Sequence, residues 1–547
     1  MKKWIFITII FIAAFFRFYQ ITIVPPHPSL DEVSIGYNAF SILKTGVDEY
    51  GTKFPILLRA YDDWRPALYI YLVVPFVKLF GLSIFAVRLP SVIMSILDIV
   101  GIFYIARELL VYLKKDKDKL FSFFPYVAAF LLVVSPWHIY ISRLGHEANL
   151  ALFCFIFGVL FFFRFLNTSR NLFFYLFILF FSFSFDSYQS TKIVIPLFSI
   201  FLTAIFIKKI WLKKKMFIFG FLIGLVVILP IIIESISPQG LVRFKATNIF
   251  QANPQIVAES SRLILNDRTN NDKISELLHN RRVGYSVLFV QAFASHLNPF
   301  WLFSNKDYEP FKSPGLGLFY VFEIIFLISG LFYSIFYLPK KFLFLFLGWV
   351  IIAILPGAIT TGYPHAMRIY ELLPLPQLIE AFGIIFLLSL IFSKTKINSK
   401  YIILPTFFLI GIVSIAQFSY SYFFLLPTKI SNQFQYGAIQ AFEIVKEREA
   451  KYDKIIVSNS GNLFESYMFY LFYNKFDPFV YKNLGGTKSG GFAESHKIGK
   501  YIFEKIELSK KIPKTLYLLS SNEVVLNMHV IKIISFLDGS PAVIIAD

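Results

Sequence analysis

Apolar runs of about 20 residues, the length an α-helix needs to cross a bilayer, alternate with short polar connections up to about residue 425. Eleven spans are predicted, near 4–24, 88–112, 120–140, 148–166, 171–185, 192–208, 216–234, 316–338, 342–359, 368–392 and 401–424. The run from Ala67 to Gly81 is shorter, with Pro75 inside it and Lys78 near its end. It predicts an interfacial or re-entrant helix, because so short a segment seldom spans. Beyond residue 425 the pattern changes. Gln440 to Lys451 reads as an amphipathic helix. Lys454 to Ser458, Thr515 to Leu519, Val530 to Phe536 and Ala542 to Ala546 read as strands. The expected fold is an all-α polytopic membrane domain, residues 1–425, followed by a small α/β domain, residues 426–547.

Charge gives this pattern a direction. With the N-terminus in the cytoplasm, the even-numbered connections hold Lys114, Lys115, Lys117 and Lys119, then Arg170, then Lys208, Lys209 and Lys213 to Lys215. Lys340 and Lys341, then Lys394, Lys396 and Lys400, follow on the same side. Basic short loops gathered on one side are the positive-inside signature. Counting Ala67 to Gly81 as a span would place them outside. The outer side then carries a first loop, about 25–87, a long loop, about 235–315, and the C-terminal domain. Met1-Lys2-Lys3 and the apolar run after it resemble a signal peptide, but no small-residue cleavage site follows, so an uncleaved first span is expected. The localisation implied is a plasma (inner) membrane, multi-pass.

Composition agrees. The chain is 56% hydrophobic and 16% charged, with a mean hydropathy of +0.64, against about 25% charged residues in soluble proteins. The formal net charge of +19 would suit nucleic acid, but its place in short loops assigns it to topology, and no nucleic-acid partner is expected. The one cysteine, Cys154, lies inside a span and makes no intramolecular disulfide. Gly485-Gly486-Thr487-Lys488-Ser489-Gly490-Gly491 lacks the spacing of a phosphate loop and reads as a loop.

The polar residues nearest the membrane all fall on the outer side. They are Asp31 and Glu32 behind Pro25-Pro26-His27-Pro28, then Asp48, Glu49, Asp62, Asp63 and Arg65, then Arg143, His146 and Glu147, then Asp186, His365 and Arg368. Arg17 lies near the outer end of the first span. Snorkelling arginines and interfacial carboxylates explain any one of them. Acids mixed with arginines suit sugar transfer from a lipid-linked phosphate. The acceptor hydroxyl needs a base, which a carboxylate supplies. The departing phosphate needs cations, and the arginine fork matches its oxygens.

In order along the chain, Arg17-Phe18-Tyr19, Leu30-Asp31-Glu32, Gly36-Tyr37-Asn38-Ala39, Thr45-Gly46-Val47-Asp48-Glu49-Tyr50-Gly51 and Trp64-Arg65-Pro66 form a set. Val87-Arg88-Leu89-Pro90, Ser135-Pro136-Trp137-His138, Ser142-Arg143, Glu147-Ala148-Asn149 and Pro364-His365-Ala366-Met367-Arg368 complete it. This set resembles the GT-C superfamily of glycosyltransferases, specifically bacterial relatives of the protein O-mannosyltransferases and of the lipid A aminoarabinose transferase, families 39 and 83. The resemblance covers about residues 1–425. It implies a catalytic group of Asp31, Glu32 and Glu147, with Asp31 as base. Glu147 stands where aspartate is usual. Arg65 stands where lysine is usual and, with Arg368 and Arg143, is expected to bind the lipid phosphate. Tyr37, Asp48, His146 and His365 are expected to contact substrate.

The partners implied are a polyprenyl-phosphate sugar donor, a protein or glycan acceptor and membrane lipid. No cofactor is expected. His146 and His365 admit a divalent metal, but no metal-ligand spacing links them. Asp48 and Glu49 precede Tyr50-Gly51, so a turn-forming role competes with substrate contact. Asp62 and Asp63 read as an interfacial loop feature, Asp186 as a cap, and Trp64 and Trp137 as interface anchors. The alternative function is a transporter or flippase of lipid-linked sugars. Such transporters show internal repeats and paired, broken spans near the midplane; the sequence shows no such symmetry, and its acids lie at the outer ends of the spans.

Overall fold

The computed structural model describes residues 2–61, 63–304, 309–394, 397–488, 495–506, 512–523 and 528–547. Asp62, Lys396 and Ser489 to Gly491 lie outside them. The helices used below are α1 (Lys2–Phe18), α2 (Leu30–Thr45), α3 (Leu68–Phe80), α4 (Ile84–Tyr112), α5 (Glu147–Thr168), α6 (Asn171–Phe185), α7 (Thr191–Ile205) and α8 (Lys214–Ser235). They continue with α9 (Glu323–Tyr337), α10 (Leu375–Lys394), α11 (Ala438–Arg448), α12 (Ser466–Tyr473) and α13 (Pro478–Asn483). The strands are β1 (Leu57–Ala60), β2 (Asp63–Pro66), β3 (Lys454–Ser458), β4 (His496–Ile498), β5 (Tyr501–Glu504), β6 (Thr515–Ser520), β7 (Val530–Ser535) and β8 (Pro541–Ala546).

The chain is a multi-pass membrane protein. Among the described residues, 6 helices are long and apolar enough to cross a bilayer, including α4, α5 and α8. A seventh candidate is broken, with Phe121–Val134 and Pro136–Ser142 meeting at 59°. Ser135 causes the break: it precedes a proline, which excludes it from the helical region, and its ψ is 119°. The expected count of eleven is thus supported only to six or seven. Helices α6, α7 and α9 have 15 residues each, which at about 1.5 Å per residue is less than a full crossing. Helix α3 has 13 residues, the short helix expected there.

The chain divides into two compact bodies. The first comprises Met1–Ile10, Leu97–His138 and Ala151–Ser414. Its tightest packing is between α9 and α10. A Cβ on Gly330 would lie 1.9 Å from the Ile379 carbonyl oxygen, and one on Gly383 2.1 Å from that of Phe326. Small residues here let two backbones touch, the usual device of helix pairs in lipid. Trp137, expected at the interface, is instead buried against Phe319 and Tyr370, ring centroids 6.0 and 5.8 Å away.

The second body comprises Phe11–Ile96, Ile139–Leu150 and Ile415–Asp547. Its C-terminal part is the expected α/β unit. The six strands run in the order β4-β5-β3-β6-β8-β7, with β3 parallel to both β5 and β6. Strand β6 is buried along its whole length, as the centre of the sheet, whereas the edge strand β7 is largely exposed. All four predicted strands form, with bounds shifted by a residue or less. Strands β4 and β5, of 3 and 4 residues, are too short for an alternation to show.

Candidate active site

Helix α2 places the first acidic pair, and its start is spelled out locally. Ser29 is the N-cap: its Oγ accepts from Glu32 N at 3.3 Å, and Glu32 Oε2 accepts from Ser29 N at 2.9 Å. This reciprocal capping box ties off two backbone N–H groups. The S-x-x-E spacing of Ser29 and Glu32 is the sequence signature of such a box. The helix ends at Gly46, in the left-handed conformation with φ 71°.

Glu32 is 1% exposed. Arg88 grips it with two donors, Nε to Oε1 at 2.7 Å and Nη2 to Oε2 at 3.1 Å. Gly145 N adds a bond to Oε1 at 2.8 Å. Burial alone would raise this carboxyl, but the Arg88 charge and hydrogen bonds hold it below the usual carboxylate range. Arg88 Nη1 also donates to Ile21 O at 2.7 Å and Nη2 to His27 O at 3.3 Å. Glu32, expected in the catalytic group, is thereby enclosed. It fixes the loop before α2 and the start of the helix.

Asp31 differs from its neighbour. Its side chain is 45% exposed, and its Oδ1 accepts from Arg65 Nη2 at 2.6 Å. The strand pair β1–β2 delivers Arg65, which sits opposite Leu58 in an antiparallel register. Tyr61 in the connecting turn donates to Leu30 O at 3.0 Å, tying the hairpin to the first residue of α2. The Arg65 side chain is 5% exposed, and its Nε and Nη1 have no hydrogen-bond partner among the described residues. His146 Nε2 stands 3.9 Å from Asp31 Oδ2, and its Nδ1 stands 3.6 Å from Glu147 Oε2. The second body therefore gathers Asp31, Arg65, His146 and Glu147 in one cluster.

The remaining expected residues are placed as follows. The Arg143 guanidinium is buried, with Nη1 donating to Phe16 O at 2.8 Å and Nη2 to Val24 O at 2.9 Å. It also lies 5.3 Å from the Tyr422 ring centroid. Its bonds hold the chain that leads into the first loop. Tyr37 is buried and donates to Phe476 O at 3.2 Å. Asp48 Oδ1 accepts from Tyr50 N at 3.0 Å and Thr52 N at 2.7 Å, which is the turn-forming arrangement.

Arg368 and His365 belong to the first body. Arg368 Nη1 donates to Thr360 Oγ1 at 2.8 Å and also to Thr361 O. With Arg243, Lys192 and Tyr188 it lines a cavity of about 240 Å³. His365 N donates to His296 Nε2 at 3.2 Å. A second cavity in this body, about 550 Å³, runs between α6, α7 and α8 and is walled by Phe174, Phe177, Phe181, Phe217 and Phe221. Among the described residues no group of three or more His, Cys, Asp or Glu side chains is placed to hold a metal ion.

Residues 65–233 match a family model described as dolichyl-phosphate-mannose-protein mannosyltransferase. The crystal structure of ArnT from Cupriavidus metallidurans bound to undecaprenyl phosphate aligns over 98% of this chain and 97% of its own, with a TM-score of 0.52 and 11% identity. The chain has a GT-C type fold. The oligosaccharyltransferase of Archaeoglobus fulgidus, in complex with Zn and sulfate, aligns at 14% identity and a TM-score of 0.46, over 84% of this chain and 60% of its own. The chain thus spans about three fifths of that protein's length. No curated protein matches.

Tyr61 and Gly145 support the site without a signal in the sequence, and Arg88 enters the sequence pattern only within Val87-Arg88-Leu89-Pro90, with no role of its own. Arg88 sits inside an apolar run where a snorkelling role suffices. Gly145 has a signal only in three dimensions: a Cβ there would lie 2.6 Å from Val87 Cγ1.

Proposed function

We propose that this protein transfers a sugar from a polyprenyl-phosphate carrier to a protein, lipid or cell-envelope glycan on the outer side of the plasma membrane. The observation that carries the reading is the Asp31–Arg65 pair. A half-exposed carboxylate touches a buried guanidinium that has two donors left over. A guanidinium so placed suits phosphate oxygens, which accept planar, charge-assisted bonds. The fold likeness and the partial family match support the same class.

In this reading Asp31 takes the proton of the acceptor hydroxyl. The hydroxyl oxygen bonds to the anomeric carbon while the bond to the phosphate oxygen breaks and its electrons pass to the phosphate. One displacement inverts the anomeric centre. While Arg65 bonds Asp31, the carboxylate is a weak base. A phosphate oxygen drawing Arg65 toward itself frees Asp31 for the proton, so donor binding arms the base. Glu147 and His146 orient the acceptor. Within the first body, the cations around the Arg368 cavity suit an anionic group and the phenylalanine-walled groove suits a prenyl chain. The transferred group is a hexose or pentose. Residues 1–425 act as the membrane transferase domain of a family 39/83-like enzyme. The N-terminus is cytoplasmic, and residues 426–547 are extracytoplasmic.

The test is transfer of label from polyprenyl-phosphate sugars to membrane extract by protein purified in nanodiscs. Loss of a positioned general base costs roughly 10²–10⁴-fold in rate, and Asp31→Asn is expected to lose that much. Equal rates for the variant and the wild type, or no transfer by the wild type from any donor, would overturn the reading.

A further inference from the structure

Glu49 belongs to the first outer loop and is 5% exposed. Its carboxyl accepts three hydrogen bonds. Asn38 Nδ2 donates to Oε1 at 3.1 Å, while Thr487 Oγ1 and Tyr467 OH donate to Oε2 at 2.9 and 3.2 Å. Asn38 lies on α2, the helix that begins with Asp31. Tyr467 lies on α12, and Thr487 follows α13. One carboxyl therefore joins the helix of the candidate base to two separate segments of the α/β region, all within the second body. The backbone repeats the join: Glu49 N donates to Asn38 Oδ1 at 2.9 Å and Thr487 N to Glu49 O at 3.4 Å.

The surroundings fit a fastening. Tyr481 OH and Thr487 Oγ1 are 2.7 Å apart, so Tyr481 supplies the hydrogen that leaves the threonine proton for Glu49. Helix α2 meets α12 at Gly36, where a Cβ would lie 2.4 Å from Phe472 Cε2. None of the three carboxyl donors is a cation. The groups facing Glu49 are Asp48, Tyr50 and Tyr61 from the loop, Tyr37 from α2, and Tyr467 and Tyr481 from the α/β region. Arg59 lies over the Tyr50 ring at 4.8 Å, and His496 stacks on Tyr467 at 3.9 Å.

We propose that Glu49 is a positioning residue: its carboxyl fastens the α/β region onto α2 and so holds Asp31 in place for transfer. The C-terminal region is then part of the catalytic scaffold. The catalytic consequence rests on the transferase reading; the fastening itself does not.

Burial pushes the Glu49 carboxyl up to about 7, against an ordinary value of 4.5. Where the join opens, the carboxyl reaches water and ionises more readily than it does when closed. The join is therefore complete at acid pH. It weakens by about tenfold per unit as pH rises between the two values, and levels off above about 7.

The experiment is hydrogen exchange of residues 30–45 in the full-length protein, corrected for the intrinsic rate, between pH 5 and pH 8. The wild type is expected to lose about tenfold in protection per unit up to about pH 7. Glu49→Gln keeps the shape and removes the titration, so its profile is expected to be flat. Thr487→Val with Tyr467→Phe removes both α/β donors and is expected to expose α2 at every pH. That pair also lowers kcat for sugar transfer and leaves the donor KM unchanged. A Glu49→Gln profile that falls like the wild type would overturn the proposal, as would wild-type protection in the double variant. Exchange needs no sugar, so the expected exchange pattern with no transfer would sustain the fastening and overturn the transferase reading.

Discussion

Asp31 and Glu32 are adjacent carboxylates with opposite environments. Asp31 faces outward beside Arg65, while Glu32 is closed off by Arg88, Gly145 and Ser29. The difference comes from helix geometry: neighbouring residues on a helix point about 100° apart, so only one of them faces the cap and the Arg88 side. The sequence makes the pair stand out but does not say which member is enclosed. The energetics separate them. Removing one partner of a buried ion pair leaves an uncompensated charge and costs about 3–5 kcal/mol. Arg88→Met is expected to lower thermal stability in detergent by that order. Adding Glu32→Gln to it should recover part of the loss, because the carboxylate left behind is then neutral. If the double variant is no more stable than Arg88→Met alone, Glu32 is not the group whose charge Arg88 offsets.

At the level of elements, the hydrophobic pattern located the helices well and their contacts poorly. Long apolar runs such as α4 and α5 show their identity in composition, because the protein interior and lipid alike demand apolar side chains around a helix. Packing partners depend on which small residue meets which backbone, and that is a three-dimensional fact. Gly330 and Gly411 both read as glycines inside apolar helices, yet their surroundings differ. A Cβ on Gly330 would meet the Ile379 carbonyl oxygen at 1.9 Å, whereas one on Gly411 meets nothing within 4 Å. Gly330→Ala must part α9 from α10, and such overpacking costs about 1–3 kcal/mol. Gly411→Ala carries no such clash and gains helix propensity, worth roughly 0.5–1 kcal/mol. Thermal unfolding of the two variants should therefore shift in opposite directions. Equal shifts would mean that the contact between α9 and α10 is not as close as described. The hairpin β1–β2 is hidden in the sequence for a related reason. Its strands are 4 residues each, and Asp63-Trp64-Arg65 looks like loop chemistry until the pairing with Leu57–Ala60 is seen.

For the whole molecule, the expected sidedness rests on where lysines fall and not on any contact. Lys114 to Lys119 and Lys208 to Lys215 predict cytoplasmic connections from charge alone. The proposed reaction depends on this orientation, because the acidic and arginine residues must lie on the opposite side. The lone cysteine offers a clean test. Cys154 is 3% exposed, inside α5, so a water-soluble thiol reagent has little access to it. After Cys154→Ala, single cysteines are placed at two exposed lysines, Lys117 and Lys451. A membrane-impermeant maleimide added to intact cells is expected to label Lys451→Cys and to spare Lys117→Cys until the membrane is opened. The opposite pattern would place the basic loops outside and the candidate site inside. Labelling of both positions from outside would mean an odd number of errors in the span count between them. The first places to look would then be α6, α7 and α9, the short helices between the two positions, whereas a crossing by α3, which precedes both, would give the opposite pattern.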